Sequence, residues 1–283
     1  MTTSATASPA PAQAAVARAA IARRIRRKLV EMSHLAKTPH LGSSLSCVDI
    51  VVAAYWGVLD IDPQQPDDPG RDRFILSKGH AATTLYAALA FRGFFDEREL
   101  AAYNRDGGVL AEHPGPRCVP GVEAATGSLG HGLPIGVGMA LAGRLQDRAY
   151  RVYALLSDGE CNEGSVWEAA MMAAAQRLDR LCIIVDYNKW QATGRSNETL
   201  ALAPLADKWR AFGWTAHEVD GHDQGALVRL MRSVPDGSGN PLALVAHTVK
   251  GRGVSFMEDD NNWHYRIPDS GEMAAAHREL GLS

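Results

Sequence analysis

The 283-residue sequence has few cysteines, no long apolar run and no excess of basic residues. Its four cysteines show no paired metal-ligand spacing, and three lie in or beside apolar segments, which favours reduced thiols over disulfides. No apolar run reaches the roughly 18 residues that a membrane-spanning helix needs. The net charge of −3 supplies no positive field for nucleic acid or an anionic membrane. We therefore expect a cytoplasmic protein that binds neither nucleic acid nor membranes.

The remaining composition is that of a globular protein with a large core. Hydrophobic residues make up 46% of the sequence and charged residues 22%, and the length suits one large α/β domain or two small ones. Residues 1–14 are small and include prolines, which predicts a disordered tail without the pattern of a secretory signal. We expect a folded domain over residues 15–270 and a C-terminal helix or tail over residues 271–283.

The most informative stretch is residues 151–190, where two apolar runs flank a helical segment. The first run, 152–156, stops at Asp158-Gly159, and the second, 181–185, stops shortly before Asn188. The intervening segment has no glycine or proline between Ser165 and Arg177. This pattern predicts a strand, a helix and a parallel strand, joined by a right-handed crossover that brings both strand ends to one sheet edge.

Serine caps are predicted for two helices. Ser46 precedes a helical pattern over residues 47–59, and Ser165 has Glu168 three positions later, the spacing of a capping box. Further helices are predicted over residues 18–36, 133–147, 207–212, 224–233 and 272–280, and further strands over residues 73–77, 214–219 and 241–248. Helices and strands alternate along the chain, as they do in α/β proteins.

Asp158 and Asn188 are candidate metal ligands. They lie 30 residues apart, and each follows the carboxyl end of a predicted strand, where open α/β sheets bind ligands. A carboxylate and an amide oxygen make an incomplete Mg²⁺ site, because Mg²⁺ commonly takes its remaining ligands from water and substrate phosphates. Gly159 permits close approach of the backbone to a phosphate. The residues alone therefore predict a metal-bridged diphosphate.

These residues resemble the signature of thiamine diphosphate enzymes, Gly-Asp-Gly followed about thirty residues later by Asn, and most closely the transketolase version. The resemblance extends from about Arg23 to His264 and implies an α/β fold of three layers, a parallel sheet with helices on both faces. It implies thiamine diphosphate and Mg²⁺ or Ca²⁺ as cofactors. Asp158, Asn188 and the carbonyl of Trp190 would bind the metal, and Gly159 would contact the diphosphate. Ser157 replaces the first glycine of the motif, which is tolerable at a strand end but could crowd the pocket.

The resemblance also assigns four histidines that, taken alone, would be interpreted as structural loop residues. His40, in a His-x-Gly loop, would bind substrate and handle protons, and His80, in a Lys-Gly-His turn, would point toward the reactive carbon of the cofactor. His113 would lie near the thiazolium and the donor substrate. His264, after Trp263, would contact the diphosphate and the substrate hydroxyls.

A glycine-rich loop and one glutamate complete the predicted site. Gly127, Ser128 and Leu129 would contact the cofactor, with Leu129 beside the thiazolium, although such glycines alone are a weak signal. Glu163 matches a family glutamate that communicates across the dimer with the partner active site. Its simpler interpretation is a carboxylate favoured by the dipole at a helix start.

The implied reaction moves a two-carbon ketol unit from a ketose to an aldose. The family also needs a pyrimidine-binding domain, so the resemblance to the two-polypeptide form implies a separate C-terminal subunit, with pyrimidine-binding and C-terminal domains, in a heterotetramer. Sugars, sugar phosphates and sulfosugars all remain open as substrates. Two alternatives also remain: another thiamine diphosphate enzyme, such as a 2-oxoacid dehydrogenase α subunit or a deoxyxylulose-phosphate synthase, and a non-catalytic homologue.

Overall fold

The structure, a computed structural model, describes residues 11–281, in which five parallel strands form one sheet. The strands are β1 (Arg73–Leu76), β2 (Val152–Ser157), β3 (Leu181–Tyr187), β4 (Thr215–Asp220) and β5 (Leu242–His247). Their order across the sheet is β1-β2-β3-β5-β4. The three central strands are almost entirely buried, which explains why they read as continuous apolar runs.

Ten α-helices surround the sheet within the described residues. They are α1 (Pro11–Ala36), α2 (Leu41–Ser46), α3 (Val48–Gly57), α4 (Ala82–Arg92), α5 (Gly132–Leu145), α6 (Gly164–Ala175), α7 (Ser196–Thr199), α8 (Leu205–Ala211), α9 (Gln224–Arg232) and α10 (Ser270–Glu279). Short 3₁₀ turns occur at Gly79–Ala81, Glu97–Ala102, Gly159–Asn162 and Asn261–His264. None of the described helices combines the length and apolar character that a membrane crossing requires.

Alternating strand residues supply two hydrophobic cores, one on each face of the sheet. Tyr153 and Leu155 of β2 pack with α1, α3, α4 and α9 on one face. Ala154 and Leu156 of the same strand pack with α5, α6 and α8 on the other face. This arrangement confirms the predicted three-layer α/β fold with helices on both faces of a parallel sheet.

The face on which α9 lies follows from the strand order. The connections from β1 to β2, β2 to β3 and β3 to β4 all advance across the sheet, and their helices α5, α6 and α8 share one face. The connection from β4 returns to β5, between β3 and β4. A right-handed crossover in the reverse direction places its helix on the opposite face, where α9 packs against α3.

The predicted start of the first helix is wrong. The helix begins at Pro11 rather than at Arg18, because proline suits the first helical position and the following alanines favour helix. Of the predicted disordered tail, residues 1–10 lie outside the described residues, and residues 11–14 belong to α1.

Both predicted serine caps are also wrong. Helix α6 begins at Gly164 after Glu163, and the Ser165 hydroxyl instead donates to the Gly130 carbonyl at 2.8 Å. Helix α3 begins after Cys47, and the Ser46 hydroxyl donates to Asp186 at 2.6 Å. In each case a tertiary partner takes the hydroxyl that could have capped the helix.

Candidate active site

A cleft of about 420 Å³ lies at the carboxyl edge of the sheet, beside the loops that follow β1, β2 and β3. This volume is in the range of small-molecule sites. Eleven of the twelve predicted site residues line the cleft: His40, His80, His113, Gly127, Leu129, Asp158, Gly159, Glu163, Asn188, Trp190 and His264. The twelfth, Ser128, is exposed and does not line it.

The two candidate metal ligands come from neighbouring strands. Asp158 follows β2 and Asn188 follows β3, and these strands pair in register up to Ser157 and Asp186. The Asp158 carboxylate accepts hydrogen bonds from the backbone N–H groups of Gly159, at 2.9 Å, and Lys189, at 2.8 Å. The crossover therefore delivers both side chains to one place, as their spacing predicts.

The charge of Asp158 is not balanced within the described part of the chain. The residue is 1% exposed, and no lysine or arginine among residues 11–281 forms an ion pair with it. Its third hydrogen-bond partner is the hydroxyl of Ser196, at 2.8 Å. Burial raises the pKa of Asp158 to about 6. A buried carboxylate with hydrogen bonds but no cation fits a divalent metal ion from outside the chain.

Asn188 is held at both ends of its amide. Its Nδ2 donates to Ser46 Oγ at 3.3 Å, and its Oδ1 accepts from the Trp190 backbone N–H at 3.0 Å. The indole of Trp190 donates to Asp259 at 2.8 Å and stacks under Arg195, whose guanidinium carbon lies 3.7 Å from a ring centroid. These contacts fix the backbone turn whose carbonyl was predicted as a metal ligand.

The donor set matches a metal that shares its ligands with a diphosphate. Among residues 11–281, no three His, Cys, Asp or Glu side chains are arranged to hold a metal ion by themselves. Asp158 and Asn188 offer a carboxylate and an amide oxygen, which are hard ligands suited to Mg²⁺ or Ca²⁺. Such an ion would need further oxygens from the backbone, water and a bound diphosphate.

Ser157, the departure from the family motif, stabilises the turn. Its Oγ accepts from the Glu160 backbone N–H at 3.2 Å, and its own N–H donates to the Glu160 carboxylate at 3.2 Å. This reciprocal pair is a capping box at the 3₁₀ turn that follows β2. The hydroxyl therefore bonds back to the turn, and crowding of the pocket is not observed.

Glu160 is a residue that sequence analysis missed. It is fully buried, and its carboxylate accepts hydrogen bonds from the Ser77 hydroxyl and from the Gly130 N–H, the latter at 2.9 Å. Burial raises the pKa of Glu160. This one side chain joins the turns after β1 and β2 to the loop that carries Gly127 and Leu129. Only the Ser-x-x-Glu spacing could have indicated it.

Four histidines from four different loops meet at the cleft. The His40 ring lies 5.5 Å from His80, 6.0 Å from His113 and 5.1 Å from His264, measured between centroids. His40 has a left-handed backbone with φ of 68°, and its N–H donates to the His264 carbonyl at 2.8 Å. The backbone bond holds the first and last of these loops together.

The environment keeps three of these histidines neutral. Burial lowers the pKa of His40, and burial together with the nearby Lys78 holds the pKa of His80 well below its ordinary value. Burial, followed by the charge of Lys250, lowers the pKa of His264 to about 3. At neutral pH these rings therefore serve as neutral hydrogen-bonding groups.

Lys250 sets the hydrogen bonding of His264. Its Nζ lies 3.1 Å from His264 Nδ1 and donates to Asn261 at 2.7 Å. An ammonium group only donates, so His264 Nδ1 accepts and Nε2 carries the ring proton. Burial, with the charge of Lys78, lowers the pKa of Lys250 to about 8. A lysine between a strand end and a glycine was its only sequence signal.

The remaining predicted residues form the mouth of the cleft. A Cβ added to Gly127 would lie 3.3 Å from His113 Cβ, so this glycine allows the imidazole to pack against the loop backbone. Glu163 is exposed and occupies the N-cap position of α6 without a side-chain cap bond. Its carboxylate is therefore accessible at the entrance.

Residues 17–283 match the family model described as transketolase, thiamine diphosphate binding domain. The chain belongs to this transketolase family. The match covers both strand ends that carry Asp158 and Asn188 and all four loops that carry the histidines. The sequence-based assignment to transketolases, over a 2-oxoacid dehydrogenase α subunit, is thereby confirmed.

Relatives of similar length are named as transketolase subunits. One of the two subunits of apulose-4-phosphate transketolase from Phocaeicola vulgatus is 39% identical over 255 residues, which cover 90% of each chain. The 6-deoxy-6-sulfo-D-fructose transketolase subunit SqwG of a Clostridium species is 43% identical over 219 residues, covering 77% of this chain and 80% of the relative. These matches confirm the predicted resemblance to the N-terminal subunit of two-polypeptide transketolases.

Solved transketolases share the fold. A Pichia stipitis transketolase aligns with a TM-score of 0.86 and 26% identity, covering 94% of this chain. The chain spans 41% of the length of that protein. The α/β domain described here therefore corresponds to less than half of that longer transketolase.

Proposed function

We propose that the chain is the thiamine diphosphate-binding subunit of a two-chain transketolase that moves a two-carbon ketol unit from a ketose to an aldose. The observation that carries this proposal is the meeting of four histidines with Asp158 and Asn188 in one cleft. The metal-ligand pair and the proton-handling groups lie at the same sheet edge, as a cofactor enzyme requires.

The proposed cofactor site uses residues of several loops. Asp158, Asn188 and the Trp190 carbonyl would hold Mg²⁺ or Ca²⁺, and Gly159 with His264 would contact the diphosphate. Gly127, Ser128, Leu129 and His80 would contact the rest of the cofactor. Thiamine diphosphate, when bound, supplies a nucleophilic carbon for carbanion chemistry. The chain's own part is to bind and orient the cofactor and to exclude water around it.

The histidines would handle substrate protons. His40 and His264 lie in contact at the cleft, and their neutral rings can accept a proton from one substrate hydroxyl and return it to another. With Nδ1 engaged by Lys250, His264 presents Nε2–H as a donor. His113 would lie beside the donor substrate. Glu163 would communicate with the partner active site from the cleft entrance.

A separate partner subunit would complete the enzyme. The relatives from Phocaeicola vulgatus and Clostridium are both named as subunits, and this chain covers most of their length. We propose that a second polypeptide supplies the pyrimidine-binding and C-terminal domains, in a heterotetramer located in the cytoplasm. The open cleft, lined by polar groups of this chain alone, would then lie against that polypeptide.

The substrates would be sugars that carry an anionic group. One relative is named for apulose-4-phosphate and another for 6-deoxy-6-sulfo-D-fructose, so both phosphorylated and sulfonated ketoses are candidates here. We propose a ketose and an aldose of this class as donor and acceptor. We propose no role in binding nucleic acid or membranes.

The test is a ketol-transfer assay on the purified chain alone and on its mixture with the partner subunit. Phosphorylated, sulfonated and free ketoses are offered with an aldose acceptor, and products are identified by mass spectrometry. We expect transfer of a two-carbon unit by the mixture only. Full turnover by the chain alone would contradict the two-chain proposal, and inactivity of a mixture that binds the cofactor would contradict the transferase.

A further inference from the structure

A buried polar network lies directly beneath the candidate metal site. Its members are Ser46 at the end of α2, Asp186 at the end of β3, Lys78 after β1 and Thr248 after β5, and each is at most 1% exposed. The Asp186 carboxylate accepts hydrogen bonds from Lys78 and Thr248, and it accepts one from the Ser46 hydroxyl at 2.6 Å. The network therefore joins four segments of the chain around one carboxylate.

The direction of the Ser46 hydroxyl follows from its neighbours. A hydroxyl has one proton, and the charged carboxylate of Asp186 is a stronger acceptor than the Ser43 carbonyl, which lies 3.0 Å away. Lys78 Nζ also donates to that carbonyl, at 2.9 Å. The lone pairs of Ser46 Oγ are therefore left to accept, and Asn188 Nδ2 is the donor that meets them.

The consequence is a fixed orientation of the Asn188 amide. An amide offers a donor at one end and an acceptor at the other, and only the oxygen can bind a cation. Rotation of the amide by half a turn would place Oδ1 against the lone pairs of Ser46 and NH₂ against the Trp190 N–H. Both contacts would then be repulsive.

We propose that Ser46 is a positioning residue for the metal site, holding Asn188 so that Oδ1 rather than Nδ2 is available to a divalent cation. This inference rests on the proposed function. Lys78 and Asp186 in turn fix the hydroxyl of Ser46. Partners of this kind commonly change metal affinity tenfold or more when removed, although they do not touch the ion.

The test measures metal affinity rather than activity. The chain is mixed with thiamine diphosphate and its partner subunit, the mixture is titrated with Mn²⁺, and free Mn²⁺ is followed by electron paramagnetic resonance. Ser46→Ala is expected to raise the half-saturating Mn²⁺ concentration roughly tenfold. Ser44→Ala is the matched control, because Ser44 lies in the same helix, is buried and bonds to Thr83 rather than Asn188. We expect no change for the control.

A second variant separates positioning from general structural support. In Asn188→Asp both side-chain oxygens can bind a cation, so the choice between oxygen and nitrogen disappears. Adding Ser46→Ala to Asn188→Asp is therefore expected to change Mn²⁺ affinity by less than about twofold, compared with roughly tenfold in the unmodified chain. A merely structural role of Ser46 would give the same loss in both backgrounds.

Three results would overturn the inference. One is equal Mn²⁺ affinity of Ser46→Ala and Ser44→Ala, and another is an equal effect of Ser46→Ala in both backgrounds. Either leaves the proposed function intact. If the unmodified chain in its mixture binds no Mn²⁺ with thiamine diphosphate, the proposed function itself fails. Should Ser46→Ala not fold, Ser46→Cys replaces it, with the same expected direction because a thiol is a weak donor and acceptor.

Discussion

The two ends of the sheet each bury an aspartate, but only one of these charges is balanced by the chain. At the amino end, Asp72 is 3% exposed and pairs with Arg151 Nη2 at 2.5 Å, just before β1 and β2 begin. At the carboxyl end, Asp158 is similarly buried and has only backbone N–H groups and a hydroxyl as hydrogen-bond partners among the described residues. One residue type thus occupies two different electrostatic environments.

The difference distinguishes a structural carboxylate from a functional one. Asp72 also accepts from the backbone N–H groups of Asp60 and Arg151, so it closes the start of two strands and needs nothing from outside. Asp158 is charged at neutral pH in a buried place, and its raised pKa reflects the lack of a cation. The chain therefore holds Asp158 ready for a partner that it does not itself contain.

Removing the unbalanced charge should have the largest functional effect. In Asp158→Asn, the turnover of the chain mixed with its partner subunit is expected to fall at least about a thousandfold, because the metal loses its only carboxylate ligand from this chain. The free energy of unfolding without metal should stay constant or rise, since a buried and unpaired charge is removed. Turnover assays and urea titrations measure the two effects.

Removing the balanced charge should have the reverse pattern. In Asp72→Asn the free energy of unfolding is expected to fall by about 3 kcal/mol, because Arg151 stays partly buried without its partner. Cofactor affinity of the folded protein should not change, since Asp72 lies at the opposite end of the sheet. Equal losses of stability in the Asp72 and Asp158 variants would contradict the comparison.

Lys250→Met tests the positive charge at the carboxyl end. Without the ammonium group, the pKa of His264 should rise toward its ordinary value, although burial still opposes protonation. Turnover is expected to fall roughly tenfold, because His264 loses the partner that fixes its ring. Nuclear magnetic resonance titration of the His264 ring measures the pKa, and Arg252→Met, in the same loop, is the control. An unchanged pKa of His264 would refute the assignment.

The histidine cluster should make the carboxyl end sensitive to acid. Because the pKa of His264 is lowered on folding, the unfolded chain binds more protons below about pH 6.5, and stability falls as the pH falls from there. His264→Gln is expected to reduce the stability loss between pH 7 and pH 5 by on the order of 1 kcal/mol, allowing for solvent screening. Urea titrations at both pH values measure this, and an identical loss in both proteins would contradict it.

Much of the fold could be predicted because its central strands are buried on both faces. Continuous apolar runs over residues 152–156 and 181–185 identify such strands, and the crossover rule then places their ends together. Helix starts were less predictable. Ser46 and Ser165 have the chemistry of caps, but each hydroxyl bonds to a residue distant in sequence, and no local pattern reveals that partner.

The candidate site was predictable in its parts and not in its connections. Spacing alone predicts that Asp158 and Asn188 meet, whereas the positions of the histidines came from resemblance to a family. The supporting residues could not be found, because Ser46 lies 140 positions before Asp186 and Glu160 reaches Gly130 thirty positions earlier. Such contacts arise only when the sheet brings separate loops together.

The central claim is that the charge of Asp158 is reserved for a divalent cation that binds the diphosphate. Calorimetric titration of thiamine diphosphate into the chain mixed with its partner subunit, with Mg²⁺ or with a chelator, tests it most directly. We predict binding with Mg²⁺, at least about a hundredfold weaker binding with chelator, and no response to Mg²⁺ in Asp158→Asn. Equally tight binding with chelator, or an Mg²⁺ response that persists in Asp158→Asn, would contradict the claim.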